Sequence, residues 1–208
     1  AGGATLACVP TPAKSDPEQL LMFMRKFQVT RIVVVPSLLR AMINIGTQHY
    51  YMNDSAVGKK NSSQEVVPGG LMQLVPTCKI WTTSGEALSG KLARDFFCSI
   101  PKAMLLNLYG STEVAADVTF HELRSIDDIP SGVNIIPIGK PIRKSAVSIL
   151  DPQTLKSCPV GTTGELFISG SNLAREYWKR PEKTKAAFVW LEVNHEERRQ
   201  DFSNPNAL

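Results

Sequence analysis

Strand-like and helix-like segments take turns from the start of the chain to about residue 130, and this rhythm restricts the fold to α/β layers built on a parallel sheet. Ala4 to Val9 is a short apolar run that reads as a first strand. Asp16-Pro17-Glu18 then opens a helix: an Asp to cap it, a Pro whose missing N–H costs nothing at the first position, and an acid near the positive end of the dipole. Leu20, Leu21, Met24 and Phe27 follow at helical spacing. Arg31 to Val35 is β-branched and apolar, as a buried parallel strand is expected to be. Pro36 and Ser37 open a second helix with Leu38, Leu39, Met42 and Ile43 on one face. Residues 46–70 lose this periodicity and predict an exposed, mobile loop. The rhythm resumes with a strand at Lys79–Thr83, a helix capped by Ser89 and carrying Leu92, Ala93, Phe96 and Phe97, and a strand at Met104–Tyr109.

Beyond residue 130 the punctuation changes. Pro130, Gly132, Gly139, Pro141, Pro152, Pro159, Gly161 and Gly164 separate short strands such as Ala146–Leu150 and Glu165–Ser169. The expected organisation is a partial α/β subdomain over 1–130, a small β subdomain with barrel-like character over 131–190, and a polar, disordered tail over 191–208. No internal repeat is present.

Bulk properties exclude several classes. With 43% hydrophobic and 20% charged residues the composition is that of an ordinary globular chain. The net charge of +4 comes without an arginine-rich run, which argues against a nucleic-acid partner, and Lys59-Lys60 sits among loop residues. Cys8, Cys78, Cys98 and Cys158 are too far apart for a Cys-x-x-Cys site and read as reduced thiols of a cytoplasmic protein. No apolar run reaches the length needed to cross a bilayer. No signal peptide or initiator Met is visible, and Ala1-Gly2-Gly3-Ala4-Thr5-Leu6 reads as the middle of a fold.

Open α/β sheets bind ligands at the C-terminal ends of their strands. Two such ends carry chemistry: Thr82-Thr83-Ser84-Gly85-Glu86-Ala87-Leu88, and Asn107-Leu108-Tyr109-Gly110-Ser111-Thr112-Glu113. Each offers hydroxyls, a glycine and a carboxylate, and Tyr109 adds a flat ring. A nucleotide calls for that set: a stacking surface, donors for phosphate and an acid for Mg²⁺. On spacing alone, Gly110 as a turn and Glu113 as a helix-start acid fit equally well.

Asn107–Glu113 resembles the Asn-x-Tyr-Gly-x-Thr-Glu motif of the acyl-adenylate-forming superfamily, which holds acyl-CoA synthetases, luciferases and the adenylation domains of nonribosomal peptide synthetases. Three further stretches agree in order. Gly2–Leu6 with Val34–Leu39 resembles the approach to the acid pocket. Ser84–Leu88 resembles the adenine-side loop. Gly164–Gly170, followed by Tyr177-Trp178 and Pro181–Thr184, resembles a glycine-flanked strand and a Tyr-x-x-x-Pro-x-x-Thr stretch. The resemblance covers about residues 1–188, and a beta-alanine-activating acyl-CoA synthetase branch is its nearest point.

The resemblance implies a fold and a set of roles. The fold is part of the large N-terminal domain of such an enzyme. Ser84, Gly85, Glu86, Ala87, Asn107, Leu108, Tyr109, Gly110, Ser111 and Thr112 bind the nucleotide, with Tyr109 against adenine and Thr112 on the α-phosphate. Glu113 holds Mg²⁺ and, with Thr112, serves catalysis. Ser37, Thr82, Ser84, Leu108, Ala116 and Asp117 are candidates for the acid pocket. Asp117 suggests an amino acid substrate, because a carboxylate there pairs with an ammonium. ATP and Mg²⁺ are the implied cofactors. CoA or a carrier-protein phosphopantetheine is the implied acceptor, and a carrier-protein domain the implied partner.

The superfamily's Ser/Thr/Gly-rich phosphate loop, ending in Pro-Lys, is expected before residue 1. Gly161-Thr162-Thr163-Gly164 imitates it, but Glu165 follows where a cation is wanted, so a β-turn is predicted. A ribose-gripping Asp and a catalytic Lys domain are expected after Phe188. The 191–208 tail does not resemble the family and fits an alternative exon or a truncated product. The expectation is therefore a fragment that cannot adenylate alone, with exposed sheet edges near 4–9 and 31–35. Rival enzyme classes lack their signatures: there is no Gly-x-Gly-x-x-Gly run and no Gly-x-Ser-x-Gly elbow, and His49, His121 and His195 are the only histidines. His121 reads as a satisfied structural residue. The alternative from another class is a non-catalytic product that binds nucleotide weakly or serves only as a protein-interaction module.

Overall fold

The structure is a computed structural model that describes residues 3–53 and 66–190. The expectations for Lys59-Lys60, for most of the 46–70 loop and for the 191–208 tail fall outside those residues.

The elements follow in chain order. Helix α1 (Thr11–Lys14) and helix α2 (Pro17–Lys26) precede strand β1 (Arg31–Val34), and helix α3 (Pro36–Asn53) follows. Next come α4 (Gly70–Leu74), β2 (Ile80–Thr83), α5 (Gly90–Ser99), β3 (Met104–Ser111), a 3-10 turn at Thr112–Val114, and β4 (Ala116–Leu123). A second 3-10 turn (Ile126–Asp128), β5 (Lys140–Pro141), β6 (Ser145–Leu150), β7 (Glu165–Gly170) and α6 (Pro181–Ala187) complete the order. The sheet runs β1-β2-β3-β4-β5, with β1, β2 and β3 parallel, and β6 pairs antiparallel with β7.

The chain divides into two compact units. The first contains everything described up to Tyr109 together with Phe120–Ile138, and the second contains Gly110–Thr119 and everything described from Gly139 on. Strands β3 and β4 thus contribute residues to both.

In the first unit the local signals work as read. Asp16 accepts hydrogen bonds from the Glu18 and Gln19 amides, and Ser89 accepts from the Leu92 amide at 3.1 Å. Both helices turn their apolar faces into one core. Trp81 and Phe96 are fully buried there and meet edge to face at 5.9 Å between ring centroids. The Trp81 indole N–H donates to the Cys78 carbonyl. Each fully buried large side chain contributes about 1.5–3 kcal/mol. Burial pushes the Cys78 thiol up to about 12, which leaves it an inert apolar filler.

Five expectations need correction. Ala4–Val9 forms no strand, since the sheet order begins at β1 and offers this run no ladder to join. β1 is not buried on both faces: it ends the sheet order, and Val33 is 68% exposed. Residues 131–190 hold a two-stranded β6–β7 pair running from Ser145 opposite Gly170 to Leu150 opposite Glu165, and no closed barrel among the described residues, because two strands cannot close on themselves. The turn expected at 161–164 is centred slightly earlier, with the Thr162 amide donating to the Pro159 carbonyl at 3.1 Å.

The fifth correction explains itself in packing. α3 does not stop near residue 46 but continues to Asn53. A Cβ on Gly46 would lie 2.7 Å from the Leu71 amide nitrogen, and a Cβ on Gly70 would lie 3.0 Å from the Gly46 carbonyl oxygen. Gly46 is therefore the crossing point of α3 and α4, where backbone meets backbone, and not a helix breaker.

Gly46→Ala sets two effects against each other. Alanine gains about 1 kcal/mol of helix propensity, while overpacking against rigid backbone costs about 1–3 kcal/mol. We expect net destabilisation in urea denaturation. A stabilised variant would show that the two helices do not touch there.

Candidate functional site

The loop after β2 lies in the first unit. Gly85, Glu86 and Ala87 are exposed, and Leu88 turns into the core. The Glu86 carboxylate reaches back to the start of α3, where it accepts from the Ser37 amide at 3.0 Å and from the Ser37 hydroxyl at 2.8 Å. A helix start presents unpaired N–H groups and a partial positive charge, so a carboxylate there is favourable on both counts. The sequence reading placed Ser37 in an acid pocket and Glu86 beside a base. The structure brings the two together and commits the Ser37 hydroxyl to a helix cap. Capping rules search within a few residues of the helix start, so a cap supplied from so far along the chain carries no local signal.

At the ends of β2 and β3, Thr82 is 8% exposed and Thr83 is fully buried. The Thr83 hydroxyl donates to the Leu106 carbonyl at 3.3 Å and lies 3.5 Å from Asn107 Oδ1. The Asn107 amide donates to the Pro137 carbonyl at 3.0 Å and to Ile136 at 3.4 Å. Asn107 is thus a tie between β3 and the segment 136–137. Ser84, Leu108 and Tyr109 are half-buried, so the Tyr109 ring is not sealed in the interior.

The rest of the motif lies in the second unit and forms a bend. Gly110 and Ser111 end β3, the 3-10 turn follows, and Ala115 (φ 49°) and Ala116 (φ 89°) take left-handed conformations that swing the chain into β4. The two sides of the bend touch at Gly110, where a Cβ would lie 1.6 Å from the Ala116 carbonyl oxygen. Gly110 is therefore not a turn residue but a strand residue whose missing side chain lets the returning backbone pass. Thr112 stands exposed on the bend, and Asp117 is half-buried.

Glu113 is held from several directions. Its carboxylate accepts from the Tyr177 hydroxyl, and its carbonyl accepts from the Ala174 amide at 2.7 Å. A hydrogen bond from the Ser111 side chain, then one from its own backbone, hold its carboxyl below the ordinary range despite slight burial. Asn172 donates to the Val114 carbonyl at 3.1 Å and accepts from the Ser145 hydroxyl at 2.9 Å. Tyr177 and Asn172 were assigned no role from sequence. The Tyr-x-x-x-Pro-x-x-Thr stretch carried the only available signal, and the structure explains it: the Thr184 hydroxyl accepts from the Tyr177 amide and donates to the Arg180 carbonyl, both at 3.0 Å.

An ionised, oriented single carboxylate suits Mg²⁺, which takes hard oxygen ligands and is usually held by one or two carboxylates plus substrate phosphates. No group of three or more His, Cys, Asp or Glu side chains with metal-binding spacing occurs among the described residues. The donor set fits a cation that is shared with a phosphate ligand better than one caged by protein alone. No helix among the described residues is long and apolar enough to cross a membrane.

His121 corrects another expectation. Its Nε2 is buried and makes no hydrogen bond among the described residues, so it is not a satisfied structural histidine. Burial lowers its pKa from 6.5, and the Asp128 carboxylate opposes that shift.

Two outcomes follow from these contacts. Glu86→Ala leaves the α3 start without its carboxylate and is expected to cost about 1–2 kcal/mol in chemical denaturation, as bonds to a charged acceptor do at an exposed site. An unchanged midpoint would show that water replaces the cap fully. Because the folded state of His121 resists protonation, its contribution is complete above the unfolded pKa of 6.5 and is lost as pH falls from there through the folded value. Thermal melts across pH 5–8 are expected to show that loss in the native chain and a shallower one in His121→Gln. Equal slopes would remove His121 from the account.

Comparison with known proteins supports the motif reading. Residues 1–178 match the family model described as AMP-binding enzyme. The chain is 32% identical over 177 residues to the beta-alanyl-bioamine nonribosomal peptide synthetase ebony of Drosophila melanogaster, covering 84% of this chain and 18% of that protein. It is 34% identical over 188 residues to vanchrobactin synthetase VabF of Vibrio anguillarum, covering 90% of this chain and 6% of that protein. The chain thus spans less than a fifth of either relative. Among solved structures it resembles the Vibrio cholerae adenylation domain AlmE, solved with glycyl-adenosine-5'-phosphate, at TM-score 0.64 and 26% identity, over 88% of this chain and 30% of that one. CmiS6 shares the fold at TM-score 0.67 and 23% identity, over 87% of this chain and 38% of that one. These matches do not support the narrower likeness to a beta-alanine-activating acyl-CoA synthetase, since the relatives are nonribosomal peptide synthetases. With its family model matched over most of its length and its motif folded into a braced bend, the chain belongs to the AMP-binding enzyme family, with the α/β fold found in the N-terminal domain of adenylation enzymes.

Proposed function

We propose that this chain forms the nucleotide-binding part of an ATP-dependent enzyme that activates a small amino acid as its acyl-adenylate and passes it to a carrier-protein phosphopantetheine. The observation that carries this reading is the bend at 110–117, where the Gly110–Ala116 contact folds the chain back tightly, leaves Thr112 exposed and keeps Glu113 ionised.

In this reading Tyr109 stacks on adenine and the backbone of Ser84, Gly85, Glu86 and Ala87 edges the base. The Glu86 side chain takes no part, since it caps α3. Thr112 donates to the α-phosphate. Glu113 holds Mg²⁺, which when bound neutralises charge on the phosphate oxygens. The substrate carboxylate oxygen attacks the α-phosphorus and pyrophosphate leaves. A thiol then takes the acyl group and AMP departs. Thr82, Ser84, Leu108, Ala116 and Asp117 are the pocket candidates, and the Asp117 carboxylate favours a substrate with an ammonium group. Beta-alanine and glycine are the first acids to try, given what ebony is named for and what AlmE was solved with. A carrier-protein thiol is favoured over CoA because the relatives are peptide synthetases.

No hydroxyl- and glycine-rich run ends in Pro-Lys within these 208 residues, so nucleotide binding is the property to measure first. Calorimetry of the purified chain with AMP is expected to show binding. Tyr109→Ala is expected to weaken it by about tenfold or more, as loss of one base–aromatic stack costs about 1–3 kcal/mol. Thr112→Val is expected to weaken it about tenfold or more, since a hydrogen bond to a charged phosphate oxygen is worth about 1.5–3 kcal/mol. Absence of binding, or binding indifferent to both changes, overturns the proposal.

A further inference from the structure

We infer that Tyr177 is the positioning residue for the Glu113 carboxylate, and so sets how strongly the site holds a divalent cation shared with a nucleotide phosphate. This rests on the nucleotide reading above and adds a residue to it.

The bend does not need the Tyr177 hydroxyl for its own fold. Its backbone is fixed independently: the Glu113 carbonyl is taken by the Ala174 amide and the Val114 carbonyl by the Asn172 side chain. The close passage at Gly110 fixes its neck. Among the described residues the Tyr177 hydroxyl bonds to the carboxylate, the part of Glu113 that these backbone contacts do not fix.

The ring, in turn, does not need Glu113. Its amide is held by Thr184, its carbonyl accepts from the Arg180 amide at 3.0 Å, and its edge meets Phe188 at 5.8 Å between centroids. Helix α6 begins at Pro181 between these anchors. A side chain placed by one element and aimed at the carboxylate of another is the arrangement by which outer partners orient a metal ligand. A carboxylate has about four acceptor positions. Tyr177, Ser111 and the Glu113 backbone N–H take up to three of them and leave at least one for a cation.

The test is Tyr177→Phe, which keeps the ring and removes the donor. ATP binding to the full 208-residue chain is measured by calorimetry in MgCl2 and in EDTA, and Mn²⁺ binding in the presence of ATP is read directly by electron paramagnetic resonance. The expected result is a loss of about tenfold in the metal-dependent gain and in Mn²⁺ affinity. Affinity in EDTA and the thermal midpoint stay unchanged. Glu113→Gln alone abolishes the gain, and adding Tyr177→Phe to it changes nothing more. Thr184→Val, which frees the Tyr177 amide, gives a smaller loss of the same kind and serves if Tyr177→Phe fails to fold. Equal losses with and without metal mean that Tyr177 is a structural pillar, and no loss means that the hydroxyl is idle; either result overturns the inference alone. A native chain that binds ATP without any metal-dependent gain also overturns it and leaves the nucleotide reading standing. A native chain that binds no nucleotide overturns both.

Discussion

The backbone of Ala116 runs through the space that a side chain on residue 110 would fill. That single close passage organises the second half of the motif. It lets β3 end and β4 begin within a few residues, at the expense of two alanines held at positive φ. Left-handed backbone is unfavourable for any residue with a Cβ, and small side chains keep the penalty low. The turn between the strands then has nowhere to go but outward. It carries Thr112 into solvent and Glu113 onto the segment around Ala174 and Tyr177.

A consequence is that the motif divides by job. Asn107 and Gly110 are spent on the fold: one ties β3 to the segment 136–137, the other admits β4. Ser111 donates to the Glu113 carboxylate. In the proposed reading, Tyr109, Thr112 and the Glu113 carboxylate are the side chains left for a ligand. In the loop after β2, likewise, the Glu86 side chain is spent on anchoring the start of α3. Substitutions at the structural positions are expected to lower stability. Substitutions at the others are expected to leave a folded chain with altered binding.

Much of this was legible from the residues in order. Asp16 and Ser89 cap the helices they precede, and β-branched runs became β1 and β2. These features depend on neighbours within a turn of helix or a span of strand, which is the range over which sequence pattern carries information. What was misread depends on partners far along the chain. Gly46 looked like the end of α3 because the reason for it lies at Leu71. Val33 looked buried on composition and is 68% exposed, while the sheet edge expected near 31–35 is where β1 ends the sheet order. Strand β4 was missed outright, hidden behind two alanines whose left-handed backbone gives no compositional warning. The polar ties Ser37–Glu86 and Glu113–Tyr177 join residues that no periodicity relates.

Those two ties also show why a motif match and a working site are different things. A motif supplies residue types, but an ionised carboxylate on a free side chain samples several rotamers and binds a cation weakly in most of them. Fixing one rotamer in advance removes that entropic cost from the binding step. In this chain the fixing is done by a stretch more than sixty residues downstream, Tyr177 against Glu113. That stretch is itself held by Thr184 and α6. The Tyr-x-x-x-Pro-x-x-Thr pattern and the Asn-x-Tyr-Gly-x-Thr-Glu pattern are therefore two halves of one device. The first holds its tyrosine through its own threonine and turns the hydroxyl onto the carboxylate that the second presents.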